Sequence, residues 1–85
     1  MPEISRFLGI VITMYFEDHA PPHFHARYGS HRIKVAIGDG AVEGVFPPRA
    51  LGLVQEWRSL HSGELAEDWR LAQELKPLRR IEGLS

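Results

Sequence analysis

The sequence predicts an α+β domain, with an antiparallel sheet of three or four strands followed by two helices packed on one face. Three observations lead there. Short β-rich runs separated by glycine-containing turns fill the first half of the chain. From Pro47-Pro48 onward, apolar residues recur at helical spacing instead. The two kinds of element are segregated rather than alternating, which is the pattern of two-layer α+β folds.

Residues 9–16, Gly-Ile-Val-Ile-Thr-Met-Tyr-Phe, form the first strand-like run. Alternation places Ile10, Ile12, Met14 and Phe16 on one face and Val11, Thr13 and Tyr15 on the other. Glu17 to Pro22 is a loop, stiffened by Pro21-Pro22. Residues 23–28 and 31–37 then make a hairpin around Gly29-Ser30. A two-residue loop sets Tyr28 opposite His31, Ala26 opposite Ile33 and Phe24 opposite Val35. That face is mostly apolar. The other face sets Arg27 opposite Arg32 and His25 opposite Lys34, a like-charge arrangement that costs stability unless an anion offsets it.

Gly38-Asp39-Gly40 is a second turn, and residues 41–46 a short strand. Val42 and Phe46 are expected opposite Ile37 and Ile33, with Glu43 near Lys34. Pro47-Pro48 opens a helix whose apolar positions are Ala50, Leu51, Val54, Trp57 and Leu60. Ser62-Gly63 breaks it. A second helix is expected from about Glu64 to Lys76, with Leu65, Trp69, Ala72 and Leu75 or Lys76 inward and Pro77 as its stop. The tail carries Leu78, Ile81 and Leu84, and either packs back on the sheet or adds an edge strand. Residues 1–85 read as a single domain. Phe24, Tyr28, Ile33, Val35, Ile37, Trp57 and Trp69 are its expected core.

Function concentrates in Asp18-His19-Ala20-Pro21-Pro22-His23-Phe24-His25-Ala26-Arg27-Tyr28, which holds three of the five histidines. On a strand His23, His25 and Arg27 share one face, with the two histidines about 6.5–7 Å apart along the backbone. Two imidazoles at that spacing can converge on a divalent metal such as zinc if a third donor joins them. His19 or Asp18 is the candidate, giving Asp18, His19, His23 and His25 as the metal set. The same face also suits metal-free acid–base work on a phosphodiester, with His23 or His25 as base or acid, Arg27 and Arg32 gripping phosphate, and Tyr15 or Tyr28 assisting. Tyr15, Arg27, Arg32 and Lys34 are the candidate binding residues. A third reading keeps the histidines structural and makes the protein a binding module. His31 falls on the core side by parity, and His61 suits a helix C-terminus.

Composition narrows the classes. Apolar content of 44% and charged content of 25% are ordinary for a globular domain. The absence of cysteine excludes disulfides, thiolate metal sites and a cysteine nucleophile. The net charge of −1 argues against bulk attraction to a polyanion. Between Asp18 and Asp39, however, there is no acidic residue, while Arg27, Arg32 and Lys34 fall there. No basic leader precedes an apolar run, and Ile10 to Phe16 is far shorter than the roughly 20 residues of a membrane helix. A cytoplasmic protein without membrane contact is the expectation.

Several stretches carry a resemblance. They are Met1 to Phe7, Gly9-Ile10-Val11-Ile12, Asp18-His19, Pro21-Pro22-His23-Phe24-His25-Ala26 and Tyr28-Gly29. Pro48-Arg49-Ala50-Leu51, Trp57, His61, Glu64-Leu65, Trp69 and the Pro77 to Leu84 stretch belong with them. Together they resemble a family of small prokaryotic proteins catalogued as a domain of unknown function and marked by the Pro-Pro-His-Phe-His motif. The resemblance implies a complete single-domain protein. It also implies a small protein partner encoded by a neighbouring gene, in an arrangement similar to toxin–antitoxin modules. It supplies no catalytic residues. The combined expectation is a small module that works with a protein partner, or with RNA, through the His23/His25/Arg27 face. A metal-binding or phosphodiester-cleaving enzyme on that face is the alternative.

Overall fold

Every strand of the sheet is hydrogen-bonded to its neighbour in sequence, so the strand order is simply that of the chain. In a computed structural model, which describes residues 2–85, five antiparallel strands precede two helices. They are β1 (Glu3–Phe7), β2 (Ile10–Thr13), β3 (His23–Tyr28), β4 (His31–Ala36), β5 (Val42–Gly44), α1 (Pro48–Leu60) and α2 (Ser62–Gln73). The α+β class is as expected, but the sheet has five strands rather than three or four. The extra strand is β1, whose short Glu-Ile-Ser-Arg-Phe run alternates weakly and lies beside a bulge between Glu3 and Ser5. It pairs with β2 through the tight turn Leu8-Gly9, where both residues have positive φ (50° and 83°). That is the geometry of a twist-matched two-residue hairpin, with an unusual leucine in it.

The β3–β4 register is as the sequence predicts: Phe24 with Val35, His25 with Lys34, Ala26 with Ile33, Arg27 with Arg32 and Tyr28 with His31. Gly29, at φ 59°, supplies the turn. The β5 register differs by one pair. Val42 opposes Val35 and Gly44 opposes Ile33, so neither Val42 nor Phe46 stands where expected. The loop closes earlier than the Asp39-Gly40 pair suggests, because Gly40 N–H bonds to Ala36 O and Ala36 N–H to Ala41 O. Parity is kept, so Lys34 and Glu43 still share a face and meet at 3.2 Å.

The helices cover the apolar face. Trp57 is fully buried between Phe7 and Phe24, its ring 5.4 and 5.6 Å from theirs. Ile4, Ile10, Ile12, Met14, Val35, Val54, Leu65 and Ala72 complete the centre of the core. Truncating an aromatic of this kind typically costs about 3–5 kcal/mol. Two expected core positions, Tyr28 and Trp69, and two apolar-face positions, Phe16 and Leu60, lie further out. Tyr28 is 39% exposed because it sits at the hairpin tip, packed on one side by Phe46. Phe16 is exposed because the strand ends at Thr13 and its alternation does not extend that far. Trp69 is half-buried. Leu60 is exposed, and His61 takes the place beside Trp57.

One residue, His61, ends α1 and begins α2. Its N–H bonds to Trp57 O, its carbonyl accepts Leu65 N–H, and its Nδ1 meets Glu64 Oε1 at 2.6 Å. That shared cap starts α2 at Ser62, ahead of the expected Glu64. The helix also stops early, at Gln73, because Leu75 turns left-handed (φ 57°) and points outward.

The tail packs back on the sheet without becoming a strand. Ile81 is buried and its N–H bonds to Ile4 O at 2.7 Å. Trp57 Nε1 donates to Glu82 O, and Arg79 N–H donates to Asp68 Oδ1, both at 2.9 Å. Asp68 is buried on α2 with its other oxygen unpartnered. Burial pushes its carboxyl up, the Arg79 N–H opposes that, and nearby Glu64 adds to it. Asp68→Asn and Asp68→Ala both remove the charge, but only asparagine keeps an acceptor for Arg79. The alanine variant is therefore expected to be less stable than the asparagine variant by about 1–2 kcal/mol, read from urea denaturation of the two. Equal stabilities would mean that this bond does not hold the tail.

Candidate functional site

Thr13, His25, Arg27, Arg32, Lys34 and Glu43 fall on the sheet face opposite the core, by the pairing of the strands. Val11 lies on the same face, opposite Arg27. A cleft of about 210 Å³ opens there, lined by Glu3, Val11, Thr13, Tyr15, His25, Arg27 and Arg32 among others. Arg27 and Arg32 are exposed cross-strand neighbours, and neither forms an ion pair among the described residues. Lys34 has Glu43, and Glu3 is occupied by Arg6 and Arg80, which hold its carboxyl down to about 2. The Tyr15 ring stands edge-on to His25 at 4.6 Å.

At one end of this face the loop before β3 folds over the strand. The Ala20–Pro21 bond in it is cis. Asp18, His23 and His25 come together there, their ligating atoms within 4.8 Å of one another. His23 Nε2 lies 2.8 Å from Asp18 Oδ2, and His23 Nδ1 lies 2.8 Å from the Pro21 carbonyl. His25 Nε2 is 3.7 Å from the same Asp18 oxygen, shielded from solvent and without a hydrogen-bond partner. Asp18 Oδ1 accepts the His19 N–H at 2.8 Å.

Three of the four expected metal donors thus converge, and His19 does not. Its ring is exposed, and it reaches the cluster only through its backbone. His23 was expected on an open face but is 5% exposed. Trp69 of α2 explains this, since its ring centre lies 5.2 Å from that of His23. His25, less buried, remains the histidine that lines the cleft. His31 is exposed at the hairpin tip, and His61 caps helices. Sequence reasoning missed Trp69 as a lid and Pro21 as an acceptor. Trp69 looks like any residue of an apolar helical stripe, and a backbone carbonyl leaves no mark in a sequence.

A model of a family described as a domain of unknown function, DUF4160, matches residues 9–70. The chain belongs to this family. The span matched by the DUF4160 model contains Asp18, His23, His25, Arg27, Arg32 and Trp69, whereas β1 and the tail lie outside it. No match was found among curated proteins, and none among solved structures. No helix among the described residues is long and apolar enough to cross a membrane.

The electrostatics give the cluster a pH signature. Burial pushes the His25 imidazole down, the neighbouring His23 adds to this, and Asp18 opposes both. Burial would raise Asp18, but the His19 N–H and His23 outweigh it, and its carboxyl is lowered. For each group the folded chain holds its proton less tightly than the unfolded chain, so stability falls as pH falls. The His25 contribution is complete above its ordinary value of 6.5 and is lost on acidification below it. The Asp18 contribution is lost at lower pH, below 3.8. Melting temperature is expected to drop as metal-free protein is taken from about pH 7.5 to about pH 5, and His25→Gln is expected to flatten that drop. An unchanged slope in the variant would show that His25 does not titrate as its surroundings dictate.

Proposed function

We propose that this protein is a small module that works with a protein partner, docking an acidic segment of it on the open face of the sheet. In the notation of the family resemblance, it is one component of a toxin–antitoxin-like pair, and the partner is the small protein encoded beside it. The observation that carries the reading is the Arg27–Arg32 pair. Two cations are held opposite each other by the backbone register, exposed and with no ion pair among the described residues, in a cleft whose acidic wall, Glu3, is taken by Arg6 and Arg80. Directly opposed like charges on a sheet cost roughly 0.2–1 kcal/mol. A carboxylate from a partner offsets that cost and gains the fork geometry of guanidinium.

An acidic protein fits better than RNA. The Arg27–Arg32 pair is a short cationic patch, and the net charge of the chain is −1. Nucleic-acid binding generally draws on a longer basic track.

Arg27→Ala combined with Arg32→Ala is expected to leave the isolated fold as stable as before, or more stable by up to about 1 kcal/mol. The same change should weaken binding to the neighbouring gene's product and to a glutamate-rich peptide. Wild-type binding should fall as salt rises, since exposed ion pairs are screened over about 8–10 Å. Thermal melts beside pull-downs and an RNA-binding assay at two salt concentrations check this. Arginine-dependent retention of RNA alone would reassign the occupant. A double variant that unfolds easily yet binds as before would make the arginines structural.

A further inference from the structure

We infer that Asp18, His23 and His25 form a three-donor site for a divalent transition-metal ion. This rests on geometry outside the Arg27–Arg32 pair and stands without the docking reading.

The decisive geometry is at His23. A carbonyl oxygen can only accept, so the 2.8 Å contact with Pro21 O places a proton on His23 Nδ1. Nε2 then faces Asp18 Oδ2 at 2.8 Å. In a neutral ring that nitrogen presents a lone pair to a carboxylate lone pair, and the contact is attractive only with a cation between them. A proton can fill this role for two of the groups. It cannot serve His25 Nε2, which lies 3.7 Å from the same oxygen with no partner of its own. Buried polar atoms without a partner are uncommon and call for an explanation. A metal ion satisfies all three atoms at once.

The dimensions and the surroundings agree. Metal–ligand bonds of about 2.0–2.2 Å in a tetrahedron put ligand atoms about 3.4 Å apart. The three atoms here lie within 4.8 Å of one another, so side-chain adjustments of about an ångström close the shell. The far ends of two donors are already anchored, His23 Nδ1 by the Pro21 carbonyl and Asp18 Oδ1 by the His19 N–H. Outer contacts of this kind fix the ring and the carboxylate that bind a metal. Two imidazoles and one carboxylate favour zinc and its first-row neighbours over magnesium or calcium, which prefer all-oxygen shells. Three protein donors leave a position for a further ligand, as in metal sites that do chemistry. His25 also lines the cleft beside Arg27 and Arg32, so the ion would adjoin the cations of the open face.

The test uses the full chain without a histidine tag, stripped with chelator and titrated with zinc by calorimetry and with cobalt(II) by visible absorption. One saturable equivalent of zinc is expected, together with cobalt absorption bands of a low-symmetry nitrogen–oxygen site. Asp18→Asn and His25→Ala are each expected to weaken zinc at least tenfold. His31→Ala, at the exposed hairpin tip, should leave it unchanged. His25 is only partly buried, so its variant carries the test, with circular dichroism reporting its fold and His25→Gln replacing it should alanine unfold the chain. Absence of a saturable equivalent would overturn the site, as would unchanged affinity in the folded Asp18 and His25 variants. The Arg27/Arg32 double variant should keep full zinc affinity, which separates this site from the docking face.

Discussion

The ladder between β3 and β4 aligns six residue pairs, from His23 opposite Ala36 to Tyr28 opposite His31. Because side chains alternate, a slip of β4 by one residue would turn Ile33 and Val35 to solvent and drive Arg32 and Lys34 inward against Phe24 and Ala26. Burying one large apolar side chain is worth about 1.5–3 kcal/mol. The Arg27–Arg32 opposition costs roughly 0.2–1 kcal/mol. The apolar face therefore sets the register, and the like-charge pair is carried along with it. The residues available for recognition are those that core packing leaves on the other side.

That same ladder positions the cluster at the end of β3. His23 and His25 point to one face because they are two apart, and Asp18 is returned to them by the loop that Pro21 and Pro22 stiffen. The helices then make the two histidines unlike. Trp69 lies over His23, while His25 stays beside Tyr15 and the cleft. One imidazole is thus fixed between a carbonyl and a carboxylate, and the other is shielded yet unpartnered. A motif that is symmetric in the sequence becomes a pair with separate roles.

The tail has a comparable part for the core. Hydrogen bonds from the tail reach Glu3 and Ile4 on β1, Trp57 on α1 and Asp68 on α2. Sheet and helices are thereby tied at an end that no strand pairing reaches. This matters in a chain of 85 residues, where a small core leaves a narrow margin of stability.

Much of this was legible in the residues because it follows from local rules. Alternation in Phe24-His25-Ala26-Arg27 and Ile33-Lys34-Val35, with Gly29-Ser30 between them, determined the hairpin, its register and the identity of both faces. Helical spacing of Val54, Trp57 and Leu65 located the helices. What stayed hidden depends on backbone geometry and on contacts between distant elements. Leu8 in a left-handed turn concealed β1, and Gly40 closed the third hairpin a pair early. His61 and Leu75 moved the ends of α2. At the site, sequence nominated His23 and His25 and left the third donor open between Asp18 and His19, since both lie within reach of the pair along the chain. Only the folded loop turns Asp18 inward and His19 outward, and only the approach of Trp69 from α2 buries His23, because both depend on residues that meet through tertiary packing rather than through spacing.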